Sequence, residues 1–118
     1  DFYEDTVIVI VGDHLSMAKS FFDDVKNYKR TCFNLFINPP QELCNIDDGR
    51  LQNRDWAVFD MFPTLVACLG VEFDGNRLGI GTNLFSDEQT LFERDGVAEV
   101  NKELENRSNF YNKNFLFS

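Results

Sequence analysis

Six consecutive β-branched residues, Thr6-Val-Ile-Val-Ile-Val11, stand near the start of the chain and end at Gly12. Such side chains are stiff about χ1 and favour extended backbone. The run does not alternate apolar with polar. It therefore predicts a strand buried on both faces, as in a parallel sheet covered by helices. A second run, Cys32-Phe-Asn-Leu-Phe-Ile37, is closed by Asn38-Pro39-Pro40 and predicts another strand with a hard stop. Between them Met17, Ala18, Phe21, Phe22, Val25 and Tyr28 recur at helical spacing, with Ser16 as the expected N-cap.

The polar stretch Gln41 to Arg54 carries no period and predicts a surface loop. Asp60 is the expected N-cap of a helix from Met61 to Leu69, with Pro63 in the first turn and Gly70 as the stop. Phe73 to Asn83 is a glycine-rich connection, its glycines suited to tight turns at positive φ. From Asp87 to about Arg107 the pattern is two short helices broken at Gly96. The aromatic tail, Phe110, Tyr111, Phe115 and Phe117, is expected to pack back on the body. The β–α–β–α order implies a layered α/β architecture. Two strands do not make a self-sufficient sheet, so the chain is expected to be the end of a larger domain whose upstream part is absent.

The formal net charge is −9, from 20 acidic and 11 basic residues. That balance argues against nucleic acid as a partner, because such affinity rests on Lys and Arg neutralising phosphates. It equally argues against electrostatic docking on anionic lipid. An anionic substrate would need a bound cation to supply positive charge; the charge also fits a simply solvated acidic surface. The longest apolar stretch, Val7 to Val11, is far short of the ~20 residues a spanning helix needs. Cys32, Cys44 and Cys68 lack zinc-type spacing. Cys32 and Cys68 fall in apolar runs and read as buried small hydrophobes. A Cys32–Cys44 bridge, and the disulfide state generally, stay open.

Asp13 and His14 directly follow the first strand and Gly12. In open α/β sheets ligands bind at the carboxyl ends of strands. A carboxylate and an imidazole placed there are suited to Zn²⁺ or Mn²⁺, either on one ion or on two. The same pair also fits a turn cap beside a hydrogen-bonded histidine. Two ligands do not complete a site.

Three collinear segments carry a resemblance. Val9-Ile-Val-Gly-Asp-His-Leu-Ser-Met17 resembles the metal-binding Asp-His segment of the alkaline-phosphatase superfamily. Sulfatases usually show Asp-His-Gly there. With Leu15 in that place, Asp-His-Leu-Ser-Met is similar to the Asp-His-Leu-Ala-Met of membrane-bound phosphoglycerol transferases. Phe59-Asp-Met-Phe-Pro-Thr-Leu-Val66, with Leu69-Gly70, resembles the helix-opening Asp-x-x-Pro-Thr-Leu segment of the superfamily. Arg77-Leu-Gly-Ile-Gly-Thr-Asn-Leu-Phe-Ser86 resembles the glycine-rich segment near the end of the phosphoglycerol-transferase branch. The match runs in order over about Asp5 to Ser86.

The resemblance implies that residues 1–118 are the C-terminal part of a three-layer α/β/α alkaline-phosphatase-like domain with a mostly parallel sheet. It implies Asp13 and His14 as metal ligands, and Asp60, Pro63 and Thr64 as a structural helix start. The Gly79 to Asn83 loop carries no assigned role. Arg50, Arg54 and Arg77 could meet an anionic head group, although surface arginines are the simpler reading. In this superfamily a metal-bound Thr or Ser is the nucleophile and another acidic ligand comes from early in the domain. Neither Thr6 nor Thr31 matches that setting, so the chain by itself is expected to be inactive.

The implied parent is a membrane-anchored phosphoglycerol transferase on the extracytoplasmic face of a bacterial membrane. It would use Mn or Zn, a phospholipid head-group donor and a glycan-type acceptor, and the chain's partner would be the rest of the catalytic domain. A sulfatase or phosphatase hydrolase is the alternative within the superfamily. A non-catalytic module with a vestigial metal site is the alternative outside it.

Overall fold

A computed structural model describes residues 2–15, 17, 31–46 and 51–116. The helix expected from Met17 to Tyr28, with its cap Ser16, lies almost wholly outside the described residues, as do Arg50 and Phe117. The architecture is mixed α/β, with helices and small antiparallel sheets. It divides into two compact units, residues 1–40 and 41–118.

Among the described residues, the first unit is a two-stranded ribbon. Strands β1 (Ile8–Val11) and β2 (Asn34–Ile37) are neighbours, and both lie inside the two apolar runs. They pair antiparallel, Ile8 opposite Ile37 and Val11 opposite Asn34, which corrects the expectation of a parallel pair. A β-branched run records strand propensity but not strand direction, which depends on how the connection returns. The expected burial on both faces is also not found. Ile8, Ile10, Val11 and Leu35 are exposed; among the described residues the two-stranded ribbon has no second layer over it. Asn38 closes β2 in the left-handed region (φ 56°), which Asn tolerates. Its Nδ2 lies 3.0–3.1 Å from the carbonyl oxygens of Tyr3, Glu4 and Thr6 and ties the preceding turn to the strand end.

In the second unit, helix α1 (Met61–Cys68) follows a 3₁₀ turn at Val58–Asp60. It ends as expected at Gly70 (φ 72°). Val71 N–H donates to Val66 O and Gly70 N–H to Ala67 O, the paired bonds of a Schellman stop. The glycine-rich segment forms a hairpin rather than a plain connection, β3 (Arg77–Leu78) with β4 (Gly81–Thr82). Only Gly79 of its two loop residues has positive φ (63°), the pattern of a type II′ turn. Helices α2 (Leu91–Asp95) and α3 (Val97–Glu105) break at Gly96 (φ 83°), again as expected.

The core of this unit is unusually polar. Met61, Cys68, Leu84, Phe85 and Val100 are buried, but so are Asp60, Thr64, Thr82, Asn83, Ser86 and Thr90. Buried polar groups generally find partners; among the described residues Thr82 Oγ1 has none, although its backbone N–H is taken by Asp60. Thr64 Oγ1 donates to Asp60 O and accepts from Leu84 N–H at 2.9 Å. Thr90 caps α2 by accepting from Glu93 N–H, while Glu93 returns a carboxylate oxygen to Thr90 N–H at 2.9 Å, a complete capping box.

The aromatic tail corrects another expectation. Phe110, Tyr111 and Phe115 stay exposed instead of packing on the body. They cluster among themselves, with Tyr111 stacked on Phe115 at 5.3 Å between ring centroids. A short helical turn at Asn109–Tyr111, continued by a wider turn at Asn112–Leu116, brings residues four apart together.

Candidate metal site at the end of the first strand

Asp13 and His14 stand together just beyond the carboxyl end of β1, as the sequence led us to expect. Gly12 makes that placement possible by close approach rather than by unusual φ. A Cβ added at Gly12 would lie 2.9 Å from Cys32 Cβ, so a side chain there would push the two segments apart. Cys32 is half-buried, less enclosed than its apolar run suggested. Gly12 N–H donates to Phe33 O at 3.1 Å and lies 3.3 Å from Asn34 Oδ1.

Both side chains face solvent, His14 59% and Asp13 86% exposed. Asp13 Oδ1 accepts His14 N–H at 2.8 Å, which holds the carboxylate over the turn. His14 Nδ1 sits 2.9 Å from Leu15 O. A carbonyl can only accept, so this bond places a ring proton on Nδ1, and Nε2 lies on the side of the Asp13 carboxylate. Metal-binding histidines are oriented this way, one nitrogen held by a carbonyl or carboxylate. Nε2 and Asp13 Oδ2 are 3.6 Å apart. Bonds of about 2.0–2.2 Å at tetrahedral angles put neighbouring ligand atoms roughly 3.4 Å apart, so one ion can take both. Among the described residues no group of three or more His, Cys, Asp or Glu is gathered to hold a metal ion. The pair therefore fits a metal as two members of a donor set, not as a whole one.

The Thr6 hydroxyl donates to Phe2 O, a local turn bond. Cys32, Cys44 and Cys68 form no disulfide in this structure, and burial pushes the Cys68 thiol up from its ordinary range, with a smaller push from Cys44.

The arginines proposed for an anionic head group resolve differently. Arg54 is not a surface arginine. Its side chain is 6% exposed and all five of its N–H donors are engaged. Nε and Nη2 form a fork on Glu93 at 3.0 and 2.8 Å. Nη1 reaches Leu84 O and Ser86 O, and Nη2 reaches Glu88 O. No donor is left for a ligand. Arg77 pairs with Glu88 and donates to Gln89 O at 3.2 Å. No adjacent charge pattern marks Arg54, because three of its partners are backbone carbonyls.

Asp60 is a structural residue of a different kind from the simple cap expected. It makes no side-chain bond to the first turn of α1. Instead Oδ2 accepts Ala57 N–H at 2.8 Å and Oδ1 accepts Thr82 N–H at 2.7 Å. Burial pushes its carboxyl above the usual range, opposed by these two bonds and by Arg54. The Gly79–Asn83 loop thereby gains a role. It docks on the start of α1, and Gly81 is required there because an added Cβ would sit 2.1 Å from Phe59 O.

No protein-family model, curated protein or solved structure matches this chain. Among the described residues no helix is long and apolar enough to cross a membrane.

Proposed function

We propose that this chain is part of the catalytic domain of a metal-dependent phosphoglycerol transferase, with Asp13 and His14 as two ligands of a divalent ion, Mn²⁺ or Zn²⁺. The observation that carries the reading is the solvent-facing pair at the end of β1, with Asp13 Oδ2 3.6 Å from His14 Nε2 and Nδ1 held at the Leu15 carbonyl. The resemblance of Asp13-His-Leu-Ser-Met17 to the transferase segment supplies the reaction class. Leu15, where sulfatases have Gly, favours the transferase over a hydrolase of the same superfamily.

In this reading the chain's own groups bind and orient. The Leu15 carbonyl fixes the imidazole, and the His14 amide fixes the Asp13 carboxylate. A bound ion would supply Lewis acidity toward a phosphate oxygen and lower the pKa of a hydroxyl nucleophile. That nucleophile and the remaining ligands belong to other parts of the domain. The transferred group comes from a phospholipid head group and goes to a glycan-type acceptor, at the extracytoplasmic face of a bacterial membrane. The fold proposed for the whole domain is a three-layer α/β/α sandwich with a mostly parallel sheet. The exposed Ile8, Ile10, Val11 and Leu35 are apolar surface that such layers would bury.

The test is head-group transfer from a glycerophospholipid to a glycan acceptor by the purified full-length protein with Mn²⁺. Transfer that falls by about 100-fold or more in Asp13→Ala and in His14→Ala is expected, since a catalytic set acts as a unit. Head-group release to water without acceptor product would replace the transferase with a hydrolase. Turnover indifferent to both substitutions would overturn the reading.

A further inference from the structure

We propose that Asn34 is a positioning residue for the Asp13–His14 pair; this rests on the metal-site reading above. Asn34 opens β2 opposite Val11, the last residue of β1. Its side-chain amide spans the two segments that meet at the turn. Oδ1 accepts from Gly12 N–H at 3.3 Å and Nδ2 donates to Cys32 O at 3.0 Å. Gly12 N–H is shared between this oxygen and Phe33 O, so the strand exit is held by both backbone and side chain. Gly12 immediately precedes Asp13, and its closeness to Cys32 leaves no room for a side chain.

The chemistry demands an amide here. One atom must accept from an N–H and another must donate to a C=O, a pairing that Asn offers without depending on protonation. A carboxylate would face the Cys32 carbonyl with repulsion, and an aliphatic isostere would leave both groups without this partner. Partners that orient metal ligands typically matter by 10–100-fold in metal affinity.

The experiment is Zn²⁺ binding to the full-length protein, wild type against Asn34→Leu and His14→Ala, with selective ¹⁵N labelling of Gly and Asn. Asn34→Leu is expected to weaken Zn²⁺ by about tenfold. It should also speed hydrogen exchange at Gly12 N–H, while the amides within β1 keep their protection. In the wild type, Zn²⁺ should shift the Gly12 amide and Asn34 side-chain amide resonances, a readout that needs no variant to fold. If His14→Ala weakens Zn²⁺ while Asn34→Leu binds it normally, or if the two wild-type resonances do not move, the positioning role is overturned alone. If His14→Ala leaves Zn²⁺ affinity unchanged, the metal-site reading falls and the role of Asn34 falls with it.

Discussion

Asp60 Oδ1 accepts the backbone N–H of Thr82 at 2.7 Å, joining two segments 22 positions apart. Thr64 adds a parallel tie to Leu84 N–H. The Asp-x-x-Pro-Thr segment and the glycine-rich segment are thus two halves of one joint. Replacing Asp60 with Ala removes both acceptors and leaves the buried Thr82 N–H without its partner. A loss of about 2–4 kcal/mol in urea unfolding is expected. A loss below ~0.5 kcal/mol would contradict the joint.

The same carboxylate gives a pH dependence. Its folded pKa is raised above the ordinary 3.8 by burial. A raised carboxyl binds its proton more tightly folded than unfolded. Its contribution to stability is therefore fully present below about 3.8 and is lost as pH rises through the folded value. Urea unfolding of wild type and Asp60→Asn from pH 3 upward should show the wild type losing ground to Asn across that window. A wild-type advantage that grows with pH would contradict the sign.

Arg54 should tolerate little. Arg54→Ala removes the cation paired with Glu93 and the donors to three carbonyl oxygens, and about 3–5 kcal/mol is expected, the usual scale for breaking a buried pair. Arg54→Lys keeps the charge but has three donors in place of five, so it should recover only part of that loss. Thermal unfolding of the two variants separates the outcomes. A lysine variant as stable as wild type would show that the fork geometry contributes nothing.

Two glycines in one hairpin should respond differently. Gly79 is at φ 63° with open space around it, so Gly79→Ala should cost about 1–2 kcal/mol for the left-handed backbone. Gly81→Ala meets the Phe59 carbonyl, a backbone atom that cannot rotate away. It should cost more, and detach the hairpin from α1. Equal melting temperatures for the two would remove the docking claim.

These contrasts show what was legible in the residues. Local signals served well: the two apolar runs are strands, Gly70 and Gly96 end helices, and Asp13 with His14 falls at a strand end. Cooperation over distance was not legible. Asp60 looked like an N-cap because capping rules see three residues ahead, whereas its decisive partner is Thr82. Arg54 looked exposed because its loop is polar, yet the carbonyls of Leu84, Ser86 and Glu88 enclose its guanidinium. Strand direction was misjudged because β-branched composition does not encode it. The tail of Phe110, Tyr111 and Phe115 satisfied itself by local stacking. Phe115→Ala should accordingly change overall stability by less than about 0.5 kcal/mol, where a core aromatic would cost several-fold more.

The most direct measurement is calorimetric titration of Mn²⁺ into the full-length protein, with Asp13→Ala and His14→Ala beside it. Ligation by this pair requires that each substitution weaken Mn²⁺ binding by at least about tenfold, the scale on which even outer-shell partners act. Tight Mn²⁺ binding that ignores both substitutions would contradict the assignment of Asp13 and His14 as metal ligands.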